Sequence, residues 1–409
     1  MVRLRESEHL LILCGATFLV MAGQGVVGPL IPRYATEFGV GAAAAGLTLS
    51  VYAFARLLLN FPAGVIADKY GRRVLLVGGP LVTSVGMIGS GFAGSITTLL
   101  IWRFVAGAGS ALYMSGALIY LIDIAKPDQR AGYVATNQWA LSAGVAIGPG
   151  IGGLLAEWKG LAFPFIVVGV LAIFTAVYAA IRIPETLHLA RAESQAAADK
   201  NGPVAANRLR DFILTPRFAA LALMTATIFM TRAGTRGTLV SLYSAGPPLN
   251  WGEATLGTLF TLTGLLTLFT LMPAARGADR FGRANIILFS GLTAGIGTML
   301  IAQSTGSALF VAGNIVMAIG TGTSGPAPAA FVADIAPADI RGKCVAAYRS
   351  AGDIGFILGP PLLGWLADAT NTAMAFRTSA VLVAAAAIWF VWVTRREPAA
   401  QPQHRSLPN

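Results

Sequence analysis

Charged residues are scarce in this chain: they make up 11% of 409 residues, whereas a soluble domain carries about 25%. Cysteine and histidine are scarcer still, with two and three residues. We therefore expect no disulfide scaffold, no metal site, no cofactor and no histidine-based catalysis. What remains is apolar, with 55% hydrophobic residues and a mean hydropathy of +0.69. This composition predicts an integral membrane protein.

Twelve apolar segments are each long enough to cross about 30 Å of hydrocarbon as a helix. The first has no convincing signal-peptide cleavage site, so we interpret it as a span. The first half of the chain contributes six segments and the second half contributes six. They cover residues 9–31, 43–66, 74–93, 97–122, 131–156, 161–182, 217–243, 254–275, 284–303, 307–333, 341–366 and 372–394.

The net charge of +11 follows the predicted topology. If both termini are cytoplasmic, 21 of the Lys and Arg residues lie inside, and three lie outside: Arg33, Lys159 and Arg377. This asymmetry fits the positive-inside rule. We therefore predict a multi-pass protein of the cell membrane, of a type suited to a bacterial inner membrane. The basic charge does not indicate a nucleic-acid partner.

The chain contains an internal repeat with an offset of 211 residues. Residues 123–157 align without gaps with 334–368 and are identical at fourteen of 35 positions, and the same offset places 68–72 on 279–283. This predicts two pseudo-symmetric six-helix bundles in an all-α membrane protein, with a path between them. The predicted parts are residues 1–182, a cytoplasmic linker at 183–216, and residues 217–409 with a short polar tail.

Several motifs resemble those of the major facilitator superfamily. The resemblance covers all twelve segments and implies the major facilitator fold. The fifth segment and residues 28–32 are similar to the drug-proton antiporter branch. The residues that carry the resemblance are Gly64, Asp68, Gly71 and Arg72 in the loop after segment two, Arg103, Gly107 and Gly109 in segment four, and Gly144, Gly148 and Pro149 in segment five.

Two groups of residues are candidates for a gate. The first is the charged loop with its repeat, where Asp68 and Arg72 can meet Asp123 at the inner end of the fourth segment and so latch the halves together when the protein is outward-open. The second is the fifth segment, where glycines four apart allow close helix packing and a proline bends the helix. Loop solubility and plain helix packing are the alternatives. The gating set is Asp68, Arg72, Asp123, Asp279, Arg283, Asp334, Arg56, Gly144, Gly148 and Pro149.

Six ionisable residues lie inside the predicted spans, and such residues usually face a bundle interior or a wet cavity. They are Arg56, Arg103, Arg232, Arg236, Arg349 and Asp353. Arg232 and Arg236 are four apart and share a helix face, and they favour an anionic substrate group. The alternative is structural: the arginines bind carbonyls, and Arg349 pairs with Asp353.

Asp353 is the one acid among these six and is our candidate for proton coupling, assisted by Arg349 and Arg103. Many drug-proton antiporters carry an acid in the first or fourth span, whereas this chain has Gln24 in the first. The polar and aromatic residues nominated to line a substrate pocket with Arg232 and Arg236, packing being the alternative, are Gln24, Tyr52, Tyr113, Asn137, Gln138, Trp139, Tyr243, Asn314 and Tyr348.

The predicted function is secondary active transport by alternating access, with proton-coupled efflux of a small amphipathic or anionic compound. A proton-coupled importer of an organic anion is the alternative. A non-transporting membrane enzyme or receptor is disfavoured because the chain has neither a membrane-embedded catalytic cluster nor a signalling domain. No G-x-x-x-x-G-K-[ST] loop occurs, which argues against an ATP-driven pump. The expected partners are a small-molecule substrate, protons and the lipid bilayer, and we expect a monomer.

Overall fold

The computed structural model describes residues 2–126, 129–187, 205–337 and 340–396. Within these residues the chain is helical and has no β-strand, which confirms the predicted all-α class. The predicted linker at 183–216 is described only at its two ends, because residues 188–204 lie outside the described residues.

The first half contains six long helices and one short helix. The first predicted segment ended too late, because its helix stops at Val27 and the chain turns before Pro32 enters the first turn of a short helix. The helices are α1 (Val2–Val27), α2 (Ile31–Thr36), α3 (Ala42–Tyr70), α4 (Arg72–Gly91), α5 (Ile96–Ile124), α6 (Arg130–Lys159) and α7 (Phe163–Arg182).

The second half begins with a short helix and continues with six long ones. These are α8 (Ala205–Ile213), α9 (Pro216–Tyr243), α10 (Glu253–Phe281), α11 (Arg283–Ala302), α12 (Ser307–Ile335), α13 (Arg341–Ala369) and α14 (Thr372–Arg396). Two of them are irregular. α9 is π-helical over Thr231–Val240, and α12 is interrupted before Pro326, which starts its second part.

Eleven of the described helices are both long and apolar enough to span a membrane, rather than the twelve that the sequence predicted. The difference is α13, which has 29 residues but is lowered in hydropathy by Asp353, Pro360 and Pro361. It packs against α3, α9 and α14 and is the twelfth long helix of the described residues.

The 211-residue offset extends to whole helices. It carries the first residues of α3, α4, α5 and α6 onto those of α10, α11, α12 and α13. Both copies of the charged loop turn at a glycine with a left-handed backbone, Gly71 with φ of 99° and Gly282 with φ of 86°. Only glycine adopts this conformation without strain. The sharp helix-to-helix turn of the loop motif therefore follows from its glycine.

Successive long helices run in opposite directions between two faces of the molecule, which we call the loop face and the closed face. The loop face carries Gly71 and Gly282, together with the start of α1 and the end of α14. The closed face carries α2, the first residues of α3 and α10, and the last residues of α6 and α13. In each half the helices pack mainly on one another, and the main crossings between the halves are α3 with α13 and α6 with α10.

Candidate functional site

Two repeat-related helix crossings join the halves near the closed face. At one, a side chain added to Gly46 of α3 would overlap the Pro360 carbonyl of α13; at the other, a side chain added to Gly257 of α10 would overlap the Pro149 carbonyl of α6. Gly46 and Gly257 are 211 residues apart, and so are Pro149 and Pro360. Backbone therefore meets backbone in the same way at both crossings, because neither glycine carries a Cβ.

Polar bonds reinforce both crossings at one equivalent position. The Ser50 hydroxyl donates to the Ile357 carbonyl at 2.5 Å. Thr261, which is 211 residues further on, accepts a hydrogen bond from the Gly150 amide at 2.8 Å. The two halves are thus held together by hydrogen bonds as well as by packing.

Arg33 of α2 is the most heavily bonded residue across the halves on this face. Its guanidinium donates to the carbonyls of Ser241 and Trp251 at 2.9 and 3.0 Å, to the Ser244 hydroxyl at 2.9 Å, and to Glu253 at 2.7 Å. The residue is only 4% exposed. The sequence placed Arg33 in an outside loop by charge counting alone, which carries no signal for a partner 200 residues away.

The fifth-span motif serves two different contacts. Gly144 and Gly148 face α1, where added side chains would overlap backbone around Ala22, so these glycines tighten packing inside the first half. Pro149 and Gly150 instead face α10 of the second half. The motif thus packs against two neighbours on two sides of one helix, α1 of its own half and α10 of the other half.

On the loop face, the predicted ion pairs form within each half. Arg72 lies 2.7 Å from Asp123 and 3.4 Å from Asp68. In the repeat, Arg283 pairs with Asp334, while Asp279 has no ion pair within the described part of the chain. In the first half the Arg72 and Asp123 side chains are 5% and 6% exposed, so this pair is largely removed from water.

Glu185, at the start of the linker, holds the first of these loops. Its carboxylate accepts hydrogen bonds from the backbone amides of Arg72 and Arg73 at 2.9 and 3.1 Å, where α4 begins. Burial raises the pKa of Glu185, but four backbone N–H donors outweigh burial and hold that pKa below its usual range. At the equivalent place in the second half, a cavity of about 470 Å³ opens beside Arg283 and Asp334.

Arg103 is buried inside the first half, at 1% exposure. Its guanidinium stacks over the Tyr52 ring at 4.5 Å. Among the described residues its polar contacts are long, with the Thr48 carbonyl at 3.5 Å and the Met87 sulfur at 3.7 Å. A cation–π contact partly compensates a buried guanidinium. These partners of Arg103 all belong to the first half, and Asp353, its predicted companion in proton coupling, is not among them.

Arg232 and Arg236 lie on the π-helical part of α9 and are partly exposed. Arg232 donates through Nη2 to the Ser324 hydroxyl at 3.0 Å and to the Thr321 carbonyl. Arg236 donates through Nη2 to the Thr263 hydroxyl at 2.8 Å and to the Phe260 carbonyl at 3.1 Å. In both residues, Nε and Nη1 have no hydrogen-bond partner among the described residues. Each guanidinium is thus anchored by one nitrogen and keeps donors to spare.

Arg349 and Asp353 do not form the ion pair considered from the sequence: within the described residues, no cation lies within 4.0 Å of the Asp353 carboxylate. Instead, Asp353 interacts electrostatically at longer range with Arg56 of the other half and with Arg349. Both arginines are exposed, whereas Asp353 is half-buried. The acid therefore sits between charges of both halves, on the side away from the two crossings.

The residues nominated to line a substrate pocket differ in their surroundings. Gln24 Nε2, the Tyr52 hydroxyl and Asn137 Oδ1 are buried polar atoms without a hydrogen-bond partner among the described residues, which is uncommon in protein interiors. Gln138 and Trp139 are exposed, and Tyr348 is buried beside Arg232.

The other three lie in the packed interior. Tyr113 bonds Thr17 at 3.0 Å, Tyr243 donates to the Ser304 carbonyl at 2.8 Å, and Asn314 donates to the Phe310 carbonyl at 2.8 Å. Each of these three side chains therefore has a polar atom bonded to protein, which is what the packing alternative expects.

Two known proteins resemble this chain over nearly its whole length, and a third resembles less than half of it. An MFS-type transporter of Methanocaldococcus jannaschii is 25% identical over 92% of this chain and 95% of its own. The quinolone resistance protein NorA of Staphylococcus aureus (strain MSSA476) is 23% identical over 88% of this chain and 90% of its own. The multidrug resistance protein 1 of Bacillus subtilis is 29% identical, over 44% of this chain and 46% of its own.

Among solved structures, a bacterial homolog of the human lysosomal transporter Spinster, in an inward-facing and occupied conformation, superposes with a TM-score of 0.78. The match covers 94% of this chain and 96% of that one, at 16% identity, and it shows the fold. The sequence model of the Major Facilitator Superfamily matches residues 13–246 and 221–408. Together with the duplicated loop motif and the helix arrangement, these matches show that the chain is a multi-pass membrane transporter belonging to the Major Facilitator Superfamily.

Proposed function

We propose that this transporter works by alternating access and exports a small amphipathic or anionic compound in exchange for protons. One observation carries the proposal: the halves are joined at one face by two equivalent crossings, while the charged cluster of Arg56, Arg349 and Asp353 lies on the other side of them. Two related bundles that touch at one end can rock about their pseudo-symmetry axis, which exposes a central site to each face in turn.

The loop face is assigned to the cytoplasm. The 21 inside-assigned Lys and Arg residues lie at or near this face or in the linker and tail, against three on the other side, and basic residues concentrate in short cytoplasmic loops. In this assignment both termini are cytoplasmic and the described conformation is inward-facing. A bacterial inner membrane is the location that fits such a transporter.

Substrate binding is assigned to the unfilled polar groups that the two halves contribute. The free donors of Arg232 and Arg236 favour a carboxylate, phosphate or similar group, because charge-assisted hydrogen bonds are stronger than neutral ones. The unpartnered atoms of Gln24, Tyr52 and Asn137 add neutral polar contacts. Phe229 and Phe260, whose rings lie 5.3 and 5.2 Å from the two guanidinium groups, supply apolar surface. An amphipathic compound with an anionic end matches this combination.

Efflux is supported by the names of the relatives, which include a multidrug resistance protein and a quinolone resistance protein. Import of an organic anion remains a second candidate, because free arginine donors serve either direction. Proton coupling is assigned to Asp353, since its ionisation changes the charge between Arg56 and Arg349. A proton taken up there weakens the attraction between the halves, which links protonation to opening.

The test uses the full-length protein in membrane vesicles turned inside out, with an acid lumen. A panel of cationic, neutral and anionic amphipaths of matched size is offered, and accumulation and lumen pH are followed together. Efflux predicts that one class accumulates and dissipates the pH gradient. No accumulation in the inside-out vesicles with an acid lumen, together with uptake into right-side-out vesicles, would establish the importer.

Variants then locate the site. Arg232→Gln and Arg236→Gln are expected to raise the half-saturating concentration for anionic compounds about tenfold or more, the effect of losing one charged hydrogen bond, while neutral compounds change little. Arg377→Gln, an exposed arginine on the closed-face side of α14, is the matched control. Equal losses for anions and neutrals would show that the two arginines act in packing only.

A further inference from the structure

The closed face contains a reciprocal arrangement of two carboxylates that the transport proposal does not use. At the end of α13, Asp368 accepts hydrogen bonds from the backbone amides of Ala42 and Ala43, at 2.8 and 2.9 Å. At the end of α6, Glu157 accepts one from the Ala254 amide at 3.0 Å. Each acid belongs to one half of the molecule, and each amide begins a helix of the other.

The repeat relates the two sites to each other. Glu157 and Asp368 are 211 residues apart, and so are Ala43 and Ala254. The residues that precede the two helices, Gly41 and Gly252, are also 211 apart, and neither helix has a capping side chain of its own. The first amides of a helix need external acceptors, and here the acceptors come from the opposite half.

We propose that Glu157 and Asp368 are paired gate residues: each caps the N-terminus of a helix in the other half, and both caps must break before the closed face opens. We call Glu157, Asp368 and the amides they hold the reciprocal caps. The inference rests on the proposed alternating access, and it assigns to these two acids the work of holding the closed state.

The physical chemistry favours such a role. A carboxylate at a helix N-terminus accepts hydrogen bonds and interacts favourably with the positive end of the helix dipole. When the halves separate, neither helix N-terminus keeps its acceptor, but both regain water at an exposed face. The caps therefore stabilise the closed state moderately, and they can break within a transport cycle.

The test measures the distance between the halves on the closed face. Gly94 and Thr305 are exposed and 211 residues apart, so Gly94→Cys and Thr305→Cys place two spin labels at equivalent positions. The full chain, with Cys14→Ala and Cys344→Ala, is reconstituted in lipid nanodiscs. Double electron–electron resonance spectroscopy then gives the populations of short (closed) and long (open) distances between the two labels. This readout needs no substrate.

Glu157→Ala and Asp368→Ala are each expected to raise the open-to-closed ratio about fivefold, and the double variant about 25-fold, from the usual strength of a helix cap and the additivity of separate sites. Glu37→Gln is the control, because Glu37 is an acid of the same face that holds no amide of the other half within the described residues. It is expected to leave the ratio unchanged or lower.

A backbone variant separates capping from general damage. Ala42→Pro removes one amide that Asp368 holds, and proline suits the first position of a helix; Gly41 already has the extended backbone that precedes proline. We expect a smaller rise than for Asp368→Ala, and no further rise when the two are combined. This variant also replaces Asp368→Ala if the latter does not give a monodisperse protein.

The outcomes are distinguishable. If the unsubstituted protein shows both distances but the acid variants do not change their ratio, or if Glu37→Gln raises it equally, the reciprocal caps do not hold the gate, and alternating access stands. If all proteins show one distance only, alternating access itself fails and the caps fail with it.

Discussion

Arg33 and Ser244 occupy equivalent positions of the two repeats, 211 residues apart, and they touch each other: the arginine donates from Nη2 to the serine hydroxyl at 2.9 Å. Two residues related by a rotation can meet only where the axis passes. The pseudo-two-fold axis therefore leaves the closed face at this contact. The first repeat has an arginine at this position and the second has a serine, so the charge at the pseudo-two-fold axis is not symmetric.

Replacing Arg33 by glutamine is expected to destabilise the protein by about 3 kcal/mol, because the change leaves Glu253 without its buried partner. Burial and the nearby Glu253 charge already raise the pKa of Glu37, so loss of the cation adds unbalanced acid. Chemical unfolding in detergent micelles measures the effect. The Arg33→Gln/Glu253→Gln double variant should recover part of the loss, and Arg377→Gln should show none. A neutral Arg33→Gln would contradict the assignment.

The two loop ion pairs provide a matched comparison of burial. Asp123→Asn is expected to cost about 3 kcal/mol, because it leaves the buried Arg72 with the exposed Asp68, at 3.4 Å, as its remaining acidic partner. Asp334→Asn is expected to cost less than about 1 kcal/mol, because its partner Arg283 is 29% exposed and Asp334 itself 55%. The free energies of unfolding of the two variants are compared with that of the unsubstituted protein. Equal losses would contradict the expected dependence on burial.

Asp68 tests the loop as part of the transport cycle rather than of the fold. It is 77% exposed and 3.4 Å from Arg72, so its contribution to stability is small. We expect Asp68→Asn to reduce the transport rate severalfold while the amount of protein in the membrane and its melting temperature stay unchanged. Normal transport by this variant would remove the loop acid from the gate.

The Glu185 contact with the loop predicts a pH dependence. Its carboxylate has a pKa below the usual 4.5, so its stabilising contribution is complete above pH 4.5 and is lost as the pH falls through the lower folded value. The melting temperature of the wild type should therefore fall more than that of Glu185→Gln between pH 6 and pH 3. Parallel curves for the two proteins would show that the contact adds nothing.

Asp353→Asn is expected to abolish the dependence of transport on a pH gradient, while exchange of substrate down its own gradient continues, because a neutral side chain cannot take up and release a proton between Arg56 and Arg349. Uptake with and without a pH gradient separates the two activities. Asp211→Asn, which removes an exposed acid of α8, is the control. Retained gradient dependence would remove Asp353 from coupling.

The sequence predicted what depends on local pattern or on exact repetition. Apolar length placed the helices, and Gly71 with its repeat placed the loops. The contact of Arg72 with Asp123 followed because both lie at ends of neighbouring helices. Arg33 was missed because its partners come from a distant segment, and the anchoring of Arg232 depends on carbonyls that no pattern reveals.

The split role of the fifth-span motif also needed coordinates. Glycine spacing identifies a smooth helix face, but Gly148 and Gly150 point to different neighbours, α1 and α10. Sequence gives the spacing and not the neighbour. The equivalence of Glu157 and Asp368 was present in the 211-residue alignment, yet two acids in register gain meaning only when each is seen beside the other half's helix.

The composition of α13 has a consequence for how the protein enters the bilayer. A helix with a mid-membrane acid and two adjacent prolines is poorly suited to partition into lipid by itself. Its glycine-rich side, with Gly355 and Gly359, fits against α9, and Gly364 fits against α3. α13 is therefore expected to be accommodated by helices made earlier, so that its integration during synthesis depends on partners already assembled.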